Sequence, residues 1–387
     1  MTHTGISTLD QLRQRQSIKW RAYPPDVIPA WIADMDFGIA PCIQAALETV
    51  IGRGELGYPQ SYADAGLNEV FCARALRRYD WDIKPDQVEF FSDVVQTIYL
   101  ALLTLSEPGD GVIVQTPVYP PFLSSVEETG RRCVPCPLTE TPAGYRVDLQ
   151  AMADAIDART RILLLCHPHN PSGRAFTKEE LEGLAELVLR HDLRVISDEI
   201  HADLMLDQRP HIPFASLSPE IAARTLTLTS PSKPFNVAGL CLAAGVFGSP
   251  ALARAFNHLP AHVRGGRSVL GMAAARAAWT EGDAWLEETL AALRANRAQV
   301  ADFVAQHWPR VRHTPPEATY LAWLDFRGMG LPEEPQRHFL KHAKVALSEG
   351  PAFGEEGRGF VRLNFATRPE ILDEILRRMN QSLRKDT

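Results

Sequence analysis

The stretch Thr229-Ser-Pro-Ser-Lys-Pro-Phe-Asn-Val-Ala-Gly239 follows an apolar run, Thr225–Leu228, that is typical of a β-strand. It places Lys233 among small residues and beside the hydroxyls of Ser230 and Ser232. A lysine held in a buried turn loses its proton more easily than one in water, and bonding to an aldehyde requires the unprotonated amine. An ordinary loop lysine between two strands fits this stretch about equally well, because Ser-x-x-Lys is a common pattern.

Two further strand-like runs also end in polar residues. In Arg194-Val-Ile-Ser-Asp-Glu-Ile-His201 the run ends at Asp198, and the run at the start of Arg161–Gly173 leads into a turn that carries Asn170. Ligands of open α/β sheets bind at the carboxyl ends of the strands, so these side chains are placed to meet a bound group. Alternatively, Asp198 caps a helix or forms an ion pair at the surface and meets no ligand. Three chemically different polar clusters at three strand ends favour a binding site.

Strand-like runs alternate with helical patterns along most of the chain. The runs are Val88–Phe91, Val112–Gln115, Arg161–Leu165, Leu193–Ile196, Thr225–Leu228 and Leu240–Val246. Between two of them, Lys178–His191 has apolar residues at helical spacing, i, i+3, i+4 and i+7. This alternation predicts an α/β fold with a mainly parallel sheet covered by helices on both faces.

The order of elements changes after Asp283–Trp308, which reads as one long helix. The later elements are Tyr320–Asp325, a helix from Pro335, Val345–Leu347, Phe360–Asn364 and a last helix, Pro369–Leu383. This arrangement predicts a small α+β domain.

The composition is typical of a large globular enzyme. The chain has 387 residues, 45% apolar and 22% charged, enough for more than one domain. The net charge of −7 does not suggest a nucleic-acid partner, and no apolar run reaches the ~18 residues of a membrane span. Met1–Ser7 has no basic-then-apolar signal pattern, so we expect a soluble, cytoplasmic protein.

Other patterns point away from metal and nucleotide chemistry. Only Cys133-Val-Pro-Cys136 has a metal or redox spacing, and it lacks a second pair. His167 and His169 flank a proline, which is poor ligand geometry, so we expect no metal. The sequence has no Gly-Lys dipeptide, which excludes the usual P-loop, and Arg264-Gly-Gly-Arg267 lacks the spacing of a dinucleotide-binding loop.

Seven motifs spread over the chain carry a family resemblance. They are Trp31-Ile-Ala-Asp-Met-Asp-Phe37, Thr116-Pro-Val-Tyr-Pro-Pro-Phe122, Cys166-His-Pro-His-Asn-Pro-Ser-Gly-Arg174, Ser197-Asp-Glu-Ile-His-Ala-Asp203, Pro231-Ser-Lys-Pro-Phe-Asn-Val-Ala-Gly239, Thr319-Tyr-Leu-Ala-Trp323 and Arg362-Leu-Asn-Phe-Ala366. Together they resemble the pyridoxal 5'-phosphate (PLP) enzymes of the aspartate aminotransferase superfamily, fold type I, class I/II aminotransferases. Within it they are most similar to the cystathionine β-lyase-like C–S lyases, a subgroup that includes the maltose-regulon modulator.

The resemblance implies a domain plan and an assembly. It implies an N-terminal segment, 1–49, that joins the small domain, a large PLP-binding domain, 50–285, with a seven-stranded sheet, and a small C-terminal domain, 286–387. It also implies a homodimer with shared active sites, in which Tyr58 reaches the cofactor phosphate of the neighbouring subunit.

The resemblance also implies roles around the cofactor ring. Lys233 would bond covalently to the cofactor and then move the Cα proton, while Asp198 would pair with the pyridine nitrogen. A buried carboxylate holds such a proton by a charge-assisted bond worth roughly 1.5–3 kcal/mol. Asn170 would donate to the phenolate oxygen, and Tyr119 would stack on the ring. His201 would lie near the phenolate; a helix cap is the alternative.

The cofactor phosphate needs several donors. Ser230 is one candidate, and the amides of Val94 and Val95, which open a predicted helix ending at residue 105, are others. The family commonly has glycine where this chain has Asp93, and a carboxylate aimed at a phosphate would repel it. We therefore expect Asp93 to turn away and cap the helix through the amide of Val95 or Gln96.

The candidates for substrate binding are three arginines, an aspartate and a tyrosine. Arg362 resembles the arginine that clamps the substrate α-carboxylate, with an edge-strand solubility residue as the alternative. Asp34 and Tyr320 are expected to line the side-chain pocket. Arg264 or Arg267 is a candidate contact for an anionic substrate tail, although two solvated arginines fit the loop better.

The resulting functional prediction is a PLP-dependent C–S β-lyase that converts an L-cysteine conjugate such as cystathionine into thiol, pyruvate and ammonia. An aminotransferase is the nearest alternative, because both reactions share the steps up to the Cα carbanion. A biosynthetic PLP enzyme that eliminates or cyclises a modified amino acid, and a regulator that sequesters another protein, also stay open.

Overall fold

The computed structural model describes residues 8–58, 66–260 and 262–384, and its central element is a seven-stranded sheet. In spatial order the strands are Val88–Phe91, Ala243–Phe247, Thr225–Thr229, Arg194–Asp198, Thr160–Cys166, Gly111–Val114 and Arg132–Pro135. Ala243–Phe247 is antiparallel to both of its neighbours, and all other adjacent pairs are parallel. The predicted mainly parallel, seven-stranded α/β sheet is confirmed.

Helices cover both faces of this sheet. The side chains of Ile162 and Leu164 join one apolar cluster with the helix Val94–Leu105. The alternate residues of the same strand, Leu163 and Leu165, join a second cluster that contains the apolar side of a helix on the opposite face. Successive strand residues point to opposite faces, so this division shows that the sheet is buried from both sides.

The helices of this part of the chain are Pro41–Gly52, Leu67–Tyr79, Val94–Leu105, Pro120–Glu128, Leu149–Ala155, Lys178–Arg190, Pro219–Ala222, Pro250–Asn257 and Val269–Glu281. A small hairpin, Thr139–Thr141 with Gly144–Arg146, lies outside the sheet.

Two strand predictions need correction. The run Leu240–Val246 becomes a strand only from Ala243, because a 3₁₀ turn ends at Leu240 and Cys241 takes a left-handed φ of 51°. The edge strand Arg132–Pro135 was absent from the predicted runs. Only Val134 in it is fully buried, so it lacks the apolar signal of the inner strands.

A second, four-stranded antiparallel sheet lies in the C-terminal part. Its order is Arg312–His313, Leu321–Asp325, Phe360–Asn364 and Ser348–Glu349. Its helices are the long Asp283–His307, Pro335–His338 with a π-helical continuation Phe339–Ala343, and Pro369–Arg384.

The N-terminal segment joins this second part of the structure. It has two short helices, Leu9–Arg13 and Ile18–Arg21, and a short strand, Ile28–Pro29, that pairs in parallel with Val345–Ala346. The domain limits at 49 and 285 stay predictions, and the second falls inside the first turn of the long helix. No helix within the described ranges is long and apolar enough to cross a membrane.

Candidate active site

A cavity of about 220 Å³ opens at the carboxyl ends of the parallel strands. It brings together nine of the residues that the sequence predicts: Val94, Val95, Tyr119, Asn170, Asp198, His201, Ser230, Lys233 and Arg362. The lining also includes Asp93, predicted to cap a helix, and residues without a predicted role: Ile32, Ala33, Ser92, Cys166, Ile200, Ser232, Ala238 and Leu242. Strand ends and the turns that follow them supply most of this set, as the topology requires.

Lys233 lies in the turn after the strand Thr225–Thr229, with its amine buried. Its Nζ donates to the carbonyl oxygen of Ala33 at 2.8 Å, and the Tyr320 hydroxyl donates to the same oxygen at 3.0 Å. Burial lowers the pKa of Lys233 to about 8, while the charge of Asp34 opposes the shift. The amine is therefore partly unprotonated near neutral pH.

The two carboxylates at the end of the neighbouring strand face different surroundings. Asp198 lines the cavity and accepts a hydrogen bond from the Ile200 amide at 3.0 Å. Burial raises the pKa of Asp198 to about 7. Glu199 instead accepts from His211 Nε2 at 2.7 Å and from the Phe214 amide at 3.0 Å, so it holds the following loop in place.

Arg362 reaches the same cavity from the four-stranded sheet. Its guanidinium donates to Asn170 Oδ1, to the Trp31 carbonyl and to Ser348 Oγ, each at 3.0 Å. It also lies over the Phe353 ring, 4.9 Å from the centroid. Burial lowers the pKa of Arg362 to about 10, so the guanidinium stays charged at neutral pH. Because Arg362 engages the amide oxygen of Asn170, the amide donors of Asn170 point away from the guanidinium.

Two rings complete this end of the cavity. Tyr119 precedes the helix Pro120–Glu128, and its backbone amide donates to the Asn170 carbonyl at 3.0 Å. His201 is only 3% exposed, and burial lowers its pKa to about 3, so the imidazole is neutral. No described residue provides a hydrogen-bond partner for its Nδ1. The helix-cap alternative for His201 is wrong, because residues 200–203 form a turn and no helix begins there.

The helix Val94–Leu105 begins at the cavity, and its first two residues, Val94 and Val95, belong to the lining. The carboxylate of Asp93 caps this helix by accepting from the Gln96 amide at 2.8 Å, as predicted. Amides in the first turn of a helix have no intrahelical acceptor and suit a bound anion.

Serine hydroxyls lie nearby. Ser230 Oγ donates to the Leu242 carbonyl at 2.7 Å and accepts from the Ser232 amide at 3.0 Å, so it must turn to serve an anion. Ser92 and Ser232 line the same cavity, and the sequence-based assignment of phosphate donors missed both. The position of Ser232 directly before Lys233 was the available signal.

Two residues predicted to line the substrate pocket do not line this cavity. Tyr320 is 1% exposed, and its hydroxyl donates a hydrogen bond to the Ala33 carbonyl. Asp34 lies one residue beyond Ala33, and burial raises its pKa. Both lie behind the carbonyl that accepts from Lys233, rather than on the cavity wall.

The arginine pair of the Arg264–Arg267 loop is likewise turned away from the cavity. Both guanidinium groups form ion pairs with Glu89, at 3.0 Å for Arg264 and 2.9 Å for Arg267. Their side chains are 21% and 11% exposed, so they are not two solvated arginines. Both ion pairs anchor the loop to the edge strand, and neither arginine is among the residues that line this cavity.

Tyr58 does not reach the cavity of its own chain. Its side chain is fully exposed, and the described chain resumes only at Gly66. The predicted contact with a cofactor phosphate therefore requires a second copy of the chain.

His167 and His169, for which the sequence predicts no metal binding, both contact neighbouring side chains. His169 Nδ1 lies 2.7 Å from Ser172 Oγ, and the ring of His167 stacks on Phe176. Among the described residues, one group of metal-type ligands converges, with one ligand atom of each within 4.8 Å of the others: Glu333, His338 and His342. None of these three residues lines the cavity.

The model of the family described as aminotransferase class I and II matches residues 32–379. The chain belongs to this family. A putative cystathionine beta-lyase of Mycobacterium leprae (strain TN) is 40% identical, with 97% of each chain covered. Cystathionine beta-lyase PatB of Bacillus subtilis (strain 168) is 37% identical over 95% of this chain and 97% of the relative.

Solved structures of family members share the fold. The crystal structure of a putative PLP-dependent beta-cystathionase from Corynebacterium diphtheriae superposes with a TM-score of 0.93 at 34% identity, covering 98% of this chain and 99% of that chain. The cavity described above therefore lies in a fold that carries PLP chemistry in a relative.

Proposed function

We propose that this protein is a PLP-dependent C–S β-lyase that eliminates the thiol from an L-cysteine conjugate of the cystathionine type. The observation that carries the proposal is one cavity that combines the amine of Lys233, the buried carboxylate of Asp198 and the buried guanidinium of Arg362. Relatives with 37–40% identity over nearly the whole chain bear the name cystathionine beta-lyase.

The residues present fit the cofactor. PLP needs an amine for its aldehyde, a carboxylate for its ring nitrogen, donors for its phenolate and an anion site for its phosphate. Lys233, Asp198, Asn170 and the helix amides that begin at Val94 supply these groups.

When bound, the cofactor draws electrons from the substrate Cα and so makes the Cα proton acidic. Arg362 binds the substrate carboxylate and thereby sets which Cα bond the site exposes to chemistry. Lys233 is the base for the Cα proton, and its pKa of about 8 suits proton transfer near neutral pH. Asp198 holds the proton on the ring nitrogen through its buried carboxylate. Loss of the β-thiolate and hydrolysis of the remainder give pyruvate and ammonia.

We further propose that the protein forms a homodimer in the cytoplasm. Three apolar side chains after or near the end of the helix Pro41–Gly52 are strongly exposed: Ile51 at 57%, Leu56 at 57% and Tyr58 at 103%. Three large apolar side chains exposed within eight residues of the sequence support contact with a second copy of the chain.

A product assay tests the lyase proposal. The PLP-loaded enzyme is incubated with cystathionine, and separately with an amino acid and a keto acid. We expect thiol and pyruvate from cystathionine, and none from the Lys233→Ala variant, because proton removal by a positioned base contributes roughly 10²–10⁴-fold. A new amino acid without pyruvate would favour the aminotransferase alternative, and full activity of Lys233→Ala would contradict the role of the lysine.

A further inference from the structure

Residues Trp31–Asp34, here called the strap, contact both Arg362 and Lys233 through backbone carbonyls. The Trp31 carbonyl accepts from Arg362 at 3.0 Å, and the Ala33 carbonyl accepts from the Lys233 amine at 2.8 Å. One short stretch of backbone therefore positions both the predicted carboxylate clamp and the predicted cofactor lysine. Any shift of the strap moves the acceptors of both groups together.

The other two carbonyls of the strap face a different partner. The Nδ2 of Asn364 donates to the carbonyls of Ile32 and Asp34, each at 2.7 Å. Asn364 is 2% exposed, and its Oδ1 accepts from the Ala366 amide at 2.8 Å, which fixes the orientation of the side-chain amide. Lys19 adds a second donor to the Asp34 carbonyl at 2.9 Å.

The strand that carries Asn364 also carries Arg362. In Phe360–Asn364 these two residues are two positions apart, so their side chains leave the same face of the strand, toward the strap. The residue between them, Leu363, points into the apolar core instead. One strand thus donates to three carbonyls of the strap, with Arg362 bound to that of Trp31 and Asn364 bound to those of Ile32 and Asp34.

We propose that Asn364 is a positioning residue of the active site, acting through the strap to set the Arg362 guanidinium and the Lys233 amine. The inference rests on the proposed function of these two residues. Asn364 touches neither group directly. It fixes the two strap carbonyls that flank Ala33 in sequence, and so it limits the backbone motion that would separate the Ala33 carbonyl from Lys233.

The chain contains a matched control for this role. Asn68 is half-buried, and its Nδ2 also donates to two backbone carbonyls, those of Pro85 and Val88, each at 2.8 Å. The two asparagines therefore share their chemistry and the number of carbonyls that they bind. Pro85 and Val88 lie outside the cavity lining, the strap and the strand that holds it, so the loss of Asn68 leaves the strap in place.

The experiment compares Asn364→Ala with Asn68→Ala as PLP-loaded enzymes. One measurement is the pH titration of cofactor absorbance, and the other is the dissociation constant of 3-mercaptopropionate, a carboxylate probe without an amine. In Asn364→Ala we expect a shifted titration midpoint and binding weakened roughly tenfold to a hundredfold, as for a displaced binding group. In Asn68→Ala we expect both to match the wild type.

The variant Asn364→Asp removes the same two donors with little change of shape, and it serves if Asn364→Ala does not fold. Wild-type titration and probe binding in a folded Asn364 variant would overturn the positioning role. Failure of the proposed function is distinguishable, because it would appear as absent lyase activity in the wild type, whereas neither measurement here depends on turnover.

Discussion

At the residue scale, burial changes the protonation of the two groups on which the proposed chemistry depends. It lowers the pKa of Lys233 to about 8 and raises the pKa of Asp198 to about 7. Both shifts have the same physical cause, since removal from water disfavours the charged form of either group. The cavity therefore brings an amine and a carboxyl, which ordinarily titrate far apart, to neighbouring pH values.

The shift of Asp198 predicts a pH-dependent stability of the cofactor-free protein. Between its ordinary pKa of 3.8 and about 7, the native carboxyl keeps a proton that the unfolded chain releases. The native state then binds more protons, so stability falls as pH rises through this window. Lys233 does not contribute there, because it is protonated in both states below pH 7. The side chains of His201, His169 and His313 act in the opposite direction, because burial lowers their pKa values to about 3, 4 and 4. The loss due to Asp198 is therefore measured against a variant without this carboxyl, by thermal unfolding at pH 5 and pH 7, and is on the order of a few degrees.

The Asp198→Asn variant is the control for this prediction. The amide has the same shape and does not titrate, so from pH 5 to pH 7 the melting temperature of the wild type should fall relative to that of Asp198→Asn. An unchanged pH dependence in Asp198→Asn would assign the effect to other groups.

Among the helices and strands, Val94–Leu105 has a first turn that affects both the stability of the helix and the binding of an anion in the cavity. Asp93 accepts from the Gln96 amide, while Val94 and Val95, the first two residues of the helix, line the cavity. A glycine at this position, as in the family pattern, would free space for the phosphate but would lose the side-chain cap. Here the carboxylate is turned to the third amide, which reduces its conflict with a bound anion.

Two substitutions of Asp93 separate the cap from the charge. Asp93→Ala removes the cap, and we expect a loss of about 0.5–2 kcal/mol in the free energy of unfolding. Asp93→Asn keeps an acceptor for the Gln96 amide but removes the negative charge, so we expect wild-type stability with equal or tighter PLP binding. Denaturant unfolding and cofactor titration measure the two effects. Equal stability of the Ala and Asn variants would show that the cap contributes nothing.

At the scale of the whole molecule, the cavity depends on parts of the chain that are far apart in sequence. Lys233 and Asp198 come from the seven-stranded sheet, Arg362 comes from the four-stranded sheet, and the strap comes from the N-terminal segment. Tyr58 adds a further candidate that only a second chain can bring to this cavity. The proposed dimer therefore has a functional test beyond its size.

Mixed dimers of Lys233→Ala and Tyr58→Ala chains provide that test. If Tyr58 serves the partner's site, a mixed dimer has one site with both residues intact. Random pairing of equal amounts then restores about a quarter of wild-type lyase activity, since half of the dimers are mixed and each has one working site. Activity no higher than half that of Tyr58→Ala alone would show that Tyr58 acts within its own chain or not at all.

The sequence by itself determined the α/β fold and the strand-end residues of the site. Lys233, Asp198 and Asn170 follow apolar strands that are readable from local pattern, and parallel strands bring their carboxyl ends to one edge. The capping role of Asp93 was predictable for the same reason, because its partner Gln96 is only three residues away.

Only the tertiary structure decided the strap, the place of Tyr320 and the pairing of Arg264 and Arg267 with Glu89. These contacts join residues that are far apart in the chain, and the backbone carbonyls that accept in the strap are identical in every residue type. A carbonyl acceptor has no sequence signature, and an arginine carries no mark of which distant carboxylate it will meet. Local pattern therefore fixes which groups can do chemistry, while packing fixes what holds them in position.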